Sequence, residues 1–114
     1  EANLIINGGT FYTSADSAGN GNSVILIYST SSNESTVTIN GGVFETEAAY
    51  NGTYFVLNVQ DGFKGGYVVC GGTFKGYKPG TTNTGELATV PEGYEIAEQE
   101  IENGVVWYTV QKAQ

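Results

Sequence analysis

"INGGTF" at Ile6–Phe11, "INGGVF" at Ile39–Phe44 and "VCGGTF" at Val69–Phe74 are one phrase written three times within 114 residues. The glycine pairs Gly8-Gly9, Gly41-Gly42 and Gly71-Gly72 lie 33 and then 30 residues apart. Each is preceded by a run with strand character ("LII", "VTI", "YVV"), and each is followed two residues later by Phe. A second strand signal returns at the same phase, "SVILIY" at Ser23–Tyr28 and "TYFVLNV" at Thr53–Val59. The segments "TSADSAGNGN" and "ETEAAYNG" offer the Gly, Asn and Ser that tight bends require. Short β-branched and aromatic runs punctuated in this way leave no window of 3.6-residue periodicity, so strand and turn are predicted throughout the repeats.

A meander of antiparallel hairpins would explain the strands but not the return of the same side chains at one fixed period. A period near 30 residues is the mark of a solenoid, in which each repeat is one coil and coils stack about 4.8 Å apart through backbone hydrogen bonds. Like then sits on like: Ile6, Ile39 and Val69 form one internal column, Leu4, Val37 and Tyr67 a second, and Phe11, Phe44 and Phe74 a third. Glycine suits the corner between the two strands because it adopts positive φ without strain and leaves room for a stacked neighbour. A phosphate-cradling role for Gly-Gly is disfavoured, since no helix follows and no phosphate-loop residue completes the pattern.

The remainder of the chain differs in composition. Glu86, Glu92, Glu95, Glu98, Glu100 and Glu102 crowd the last third. "YEIAEQEI" and "VVWYTV" read as two strands joined around Asn103-Gly104, a strong hairpin signal. Residues 1–85 are therefore read as the coils and 86–114 as a C-terminal β cap of the same domain, covering strand edges that a solenoid leaves open. The opening "EANLIING" reads as mid-strand, which leads us to expect the remainder of a longer parent chain as a partner at that end.

Twelve acidic residues against four lysines, with no arginine or histidine, give a net charge of -8. That balance repels a phosphate backbone, so nucleic acid is not an expected partner. Cys70 is the sole cysteine; no intrachain disulfide forms, and the thiol reads as a small inert hydrophobe. No apolar run approaches the roughly 20 residues of a membrane helix, so membrane insertion is not expected. Neither a metal nor another cofactor is called for.

Strand-"GGTF"-loop-strand units, closed by "GGTFKGYKPG" and then "VPEGYEIAEQEIENGVVWYTV", resemble right-handed parallel β-helix repeats of pectin-lyase-like shape. Such repeats occur in surface proteins of gut bacteria and in fibre or decoration proteins of their phages. The likeness runs from about Leu4 to Val110. It implies an all-β fold, a short right-handed parallel β-helix (β-solenoid) of about three coils with a C-terminal β-hairpin cap. It also implies an extracellular, non-catalytic module of a bacterial cell surface, secreted protein or phage virion, serving adhesion or glycan attachment within a larger fibre. A purely structural spacer or capsid-decoration module is the alternative, and a fragment of a polysaccharide lyase or hydrolase the third reading. No catalytic residue carries over from the resemblance.

Exposed aromatic rings stack on sugar faces while their hydroxyls donate to sugar oxygens. Tyr12, Tyr50, Asn51 and Tyr54, in the loops Tyr12–Asn22 and Glu45–Tyr54, are the expected glycan contacts, whereas Tyr67 and Trp107 read as core or cap packing. For the enzyme reading, Glu45, Glu47 and Asp61 would have to converge on one groove. If Val24, Leu26 and Tyr28 point inward and align with Phe55, Leu57 and Val59, then Ile25, Ile27 and Val56 form an outer apolar patch. Such a patch calls for a covering partner. With the trimeric fibres that the repeats resemble, this leads us to expect a homo-oligomer, a trimer, through that face.

Overall fold

A computed structural model describes residues 3–13, 24–27, 35–46, 56–59, 65–80, 88–102 and 104–114. Among them the chain is all-β, and no helix is present that could cross a membrane. In chain order the strands are β1 Asn3–Ile6, β2 Thr10–Thr13, β3 Ile25–Ile27, β4 Ser35–Ile39, β5 Val43–Thr46 and β6 Leu57–Val59. They continue with β7 Gly65–Val69, β8 Thr73–Lys75, β9 Ala88–Thr89, β10 Tyr94–Glu102 and β11 Val105–Lys112.

Three sheets receive these strands. β1, β4, β7 and β9 run parallel in sheet A; β2, β5 and β8 run parallel in sheet B; β3 and β6 pair parallel in sheet C. The chain visits A, B and C in turn, repeats that circuit, and enters A and B a third time before β9 returns to A. Register in sheets A and B follows the three phrases. Leu4, Val37 and Tyr67 are successive partners, as are Ile6, Ile39 and Val69, and as are Phe11, Phe44 and Phe74.

Two demands explain the glycine pairs, the first at all three corners and the second at Gly41 and Gly71. The second glycine has φ of +109° at Gly9, +115° at Gly42 and +103° at Gly72, where any other side chain would be strained. For the first glycine the demand is space. A Cβ on Gly41 would stand 2.7 Å from the backbone oxygen of Asn7, and one on Gly71 would meet that of Asn40 more closely still. Backbone hydrogen bonds tie successive corners together: Asn40 N–H donates to Ile6 O at 2.7 Å and Cys70 N–H to Ile39 O at 2.7 Å. Val43 N–H to Gly9 O and Thr73 N–H to Gly42 O, both 2.9 Å, do the same on the other side of the turn.

Inside the circuit the side chains stack. Phe44 lies between Phe11 and Phe74, each pair with centroids 5.0 Å apart and planes within 8° and 11° of parallel. Tyr77 meets Phe74 edge-on at 6.0 Å and closes that column. Val37, Ile39, Val56, Leu57, Tyr67 and Val69 complete the buried interior with Ala88 and Val110. Tyr67 crosses from sheet A to donate its hydroxyl to Ile25 O in β3 at 3.1 Å, so its polar end is satisfied inside the core.

The two ends of the stack differ. In the second column exposure falls from 51% at Leu4 to 5% at Val37 and 1% at Tyr67. At the far end β10 and β11 form an antiparallel hairpin, and β11 pairs antiparallel with β8. Val110 N–H donates to Gly72 O at 2.9 Å, the place that the following corner occupies at Gly9 and Gly42. Within 86–114, Ala88–Thr89 joins sheet A as a fourth parallel strand, whereas the hairpin joins sheet B.

Sheet C departs from expectation. Ile25 pairs with Leu57, Leu26 with Asn58 and Ile27 with Val59, one residue away from the alignment of Leu26 with Leu57. A one-residue offset exchanges the two faces of a strand. Val56, at the bend before β6, is fully buried, and Ile25 is half-buried against the core. Val56 therefore does not lie on the expected outer patch with Ile25, and the side chain of Ile27 lies outside the described ones.

Phe44, stacked on both sides, carries more packing than half-buried Phe11. Phe44→Ala is expected to lower unfolding free energy by about 3–5 kcal/mol. Phe11→Ala should cost distinctly less in the same urea titration; equal losses would contradict the stack.

Candidate functional site

Because Phe11, Phe44 and Phe74 turn inward, the alternate residues of their strands turn outward. These are Thr10 and Tyr12 on β2, Val43 and Glu45 on β5, and Thr73 and Lys75 on β8. The hairpin widens this face. Trp107 pairs with Lys75 and Thr109 with Thr73, and directly paired residues share one side of a sheet. Gln99 opposite Trp107 and Ala97 opposite Thr109 carry it onto β10. One row across the five strands therefore reads Gln99, Trp107, Lys75, Glu45 and Tyr12.

Local contacts hold the middle of this row. Lys75 Nζ lies 3.3 Å from Glu45 Oε2, and the hydroxyls of Thr73 and Thr109 are 3.0 Å apart in the adjacent row. On either side of the ion pair stand aromatic rings: Tyr12, 52% exposed, and half-buried Trp107. Three strand spacings separate them, roughly 14 Å. A flat sheet face with hydroxyls and an ion pair between two rings offers apolar stacking surfaces flanking hydrogen-bonding groups. A polyhydroxylated chain lying across the strands could use both.

Of the expected glycan contacts, the structure places Tyr12 on this face. Tyr50, Asn51 and Tyr54 lie outside the described residues. Tyr77, another aromatic of the turn region, is buried against Phe74 and serves packing. Trp107, expected in core or cap packing, is half-buried on the hairpin and shares the outward row. The alternation of "VVWYTV" carries the signal: Val110 is buried and Tyr108 pairs with inward-facing Phe74, so Trp107 falls on the opposite side. Tyr67 is in the core, as expected.

Of the acids that an enzyme would have to bring together, Glu45 is engaged by Lys75, and Glu47 and Asp61 lie outside the described residues. Among the described residues no group of three or more His, Cys, Asp or Glu side chains is placed to hold a metal ion. Other acids line the hairpin: Glu98 pairs with Lys78 at 3.2 Å, and Glu95 accepts from Gln111 Nε2 at 3.0 Å.

No family model, curated protein or solved structure matches this chain.

The Lys75–Glu45 side chains retain 18% and 31% of their exposure, so solvent screens the pair. A double-mutant cycle with Lys75→Ala and Glu45→Ala is expected to give a coupling of less than about 1 kcal/mol that shrinks further in 1 M salt. Its role is to hold two polar groups in place on the face. A coupling of several kcal/mol would contradict this.

Proposed function

We propose that this chain is a right-handed parallel β-solenoid module capped by its C-terminal hairpin, and that it is a non-catalytic, extracellular attachment module of a bacterial surface protein or phage virion. It binds glycan through the outer face of sheet B. The solenoid reading is supported by the repeated circuit through three sheets and by like-on-like stacking. Its handedness and its cellular setting rest on the resemblance of the "GGTF" repeats.

One observation carries the binding reading: Tyr12 and Trp107 share an outward row with Lys75 and Glu45 between them. Residues that recur in all three phrases serve corners and core, so recognition falls to positions that vary between coils. Tyr12, Glu45 and Lys75 occupy one such column. An acidic protein without arginine suits neutral or amine-bearing sugars better than sulfated or uronic polymers, which its charge would repel. Such a shallow face binds weakly, in the region of millimolar or about 4 kcal/mol, so useful attachment needs several copies on one particle.

The competing reading, a spacer or decoration module, is favoured by the same fact that the recurrent residues are all structural. A glycan array probed with the chain displayed in several copies separates the two. Binding is expected to neutral or amino sugars and to be lost in Tyr12→Ala, whose exposed ring should leave the melting temperature within about 2 °C of the parent. Trp107→Ala should lose it too. An array silent for the parent chain would overturn glycan attachment in favour of the spacer, and binding indifferent to both substitutions would move the site elsewhere.

A further inference from the structure

Gly8 has no reason within these 114 residues to be glycine. Its backbone is not in the left-handed region, unlike that of Gly9, and a Cβ built on it meets nothing within 4 Å. Its counterparts are constrained: a Cβ on Gly41 or Gly71 collides with the backbone oxygen of Asn7 or Asn40 in the coil before. Gly8 would be constrained in the same way only by a corner carbonyl lying over it.

Three further features of this end agree. Asn40 Nδ2 donates to Asn7 Oδ1 at 2.9 Å, so the side chain of one corner holds that of the corner at the open end. The N–H groups of Asn7 and Thr10 hold the positions from which Asn40 and Val43 donate to Ile6 O and Gly9 O of the preceding coil. Leu4 is half exposed and Ile6 and Phe11 are only partly covered, although their partners Val37, Ile39 and Phe44 are buried.

We propose that the edge formed by β1 and β2 seats one more parallel coil with the same corner, contributed by repeat polypeptide outside residues 1–114. A second copy of this chain does not meet the requirement. The far sides of its β7 and β8 are taken by β9 and β11, and Gly72 O by Val110 N–H, so its last Gly-Gly corner is not open to stack head-to-tail. Approaching head-to-head, it would bring β1 and β2 antiparallel and out of register with the corner.

The test extends the full chain by fusing a copy of Ser35–Lys64 directly before Ala2, which preserves the observed register of Ser35 with Gly65 and Thr36 with Asn3. The added coil is expected to raise Tm by about 4 °C or more and to slow exchange of the Asn7 and Thr10 amides. Gly8→Ala should leave the 114-residue chain unchanged but lower Tm of the extended chain, as Gly41→Ala does in both. An extended chain that is no more stable, leaves those amides exchanging as before, or is indifferent to Gly8→Ala overturns the proposal. So does self-association of the 114-residue chain that Leu4→Glu disperses, which would assign the edge to a second copy.

Discussion

At each corner the backbone of one repeat passes so close to the next that a single methyl group on Gly41 would stand 2.7 Å from the Asn7 carbonyl. That approach admits only glycine, and it brings Asn40 N–H onto Ile6 O and Val43 N–H onto Gly9 O. With hydrogen bonds fixed on both sides of the turn, neither adjoining strand can slip without breaking the other. The register of sheets A and B is thus set at one point, and the columns of Ile/Val and Phe follow from it. A strand period of two then decides which residues face outward, so the row from Tyr12 to Lys75 is a consequence of the same corner.

Enclosure of the core depends on what lies on either side of each repeat. The second repeat has neighbours on both sides, and its Val37, Ile39 and Phe44 are buried. Beyond the third repeat the chain supplies its own cover: Tyr77 against Phe74, Ala88 beside Tyr67, and Val110 bonded to Gly72 O. The hairpin performs two tasks at once. It pairs with the edge of β8, and it widens the outer face by two strands, bringing Trp107 into line with Lys75. Ending a stack and building a surface are here the same structural act.

The distribution of glycine explains how far the molecule was legible in its sequence. Sheets A and B flank the Gly-Gly corners, and their registers could be written down from the three phrases alone. Sheet C has no such marker. "SVILIY" is apolar on both faces, so alternation gives no preferred register, and the observed pairing sets Ile25 rather than Leu26 opposite Leu57. The hairpin was visible in Asn103-Gly104, but its docking against β8 is a tertiary choice that no local signal encodes. Trp107 was expected in core or cap packing; it stands half-buried on the hairpin, and the alternation of its own strand sets it in the row of Lys75. Tyr12 was expected in a loop; it lies instead on β2, one residue beyond the inward Phe11.

Parallel, in-register stacking of the three corners is the central claim, and nuclear Overhauser contacts in the full chain test it most directly. The ring protons of Phe44 should show contacts to both Phe11 and Phe74, with the amide of Asn40 near Ile6 and that of Cys70 near Ile39. Strong Hα–Hα contacts between β4 and β7, the mark of antiparallel pairing, or a Phe44 ring in contact with only one of its two partners, would contradict it.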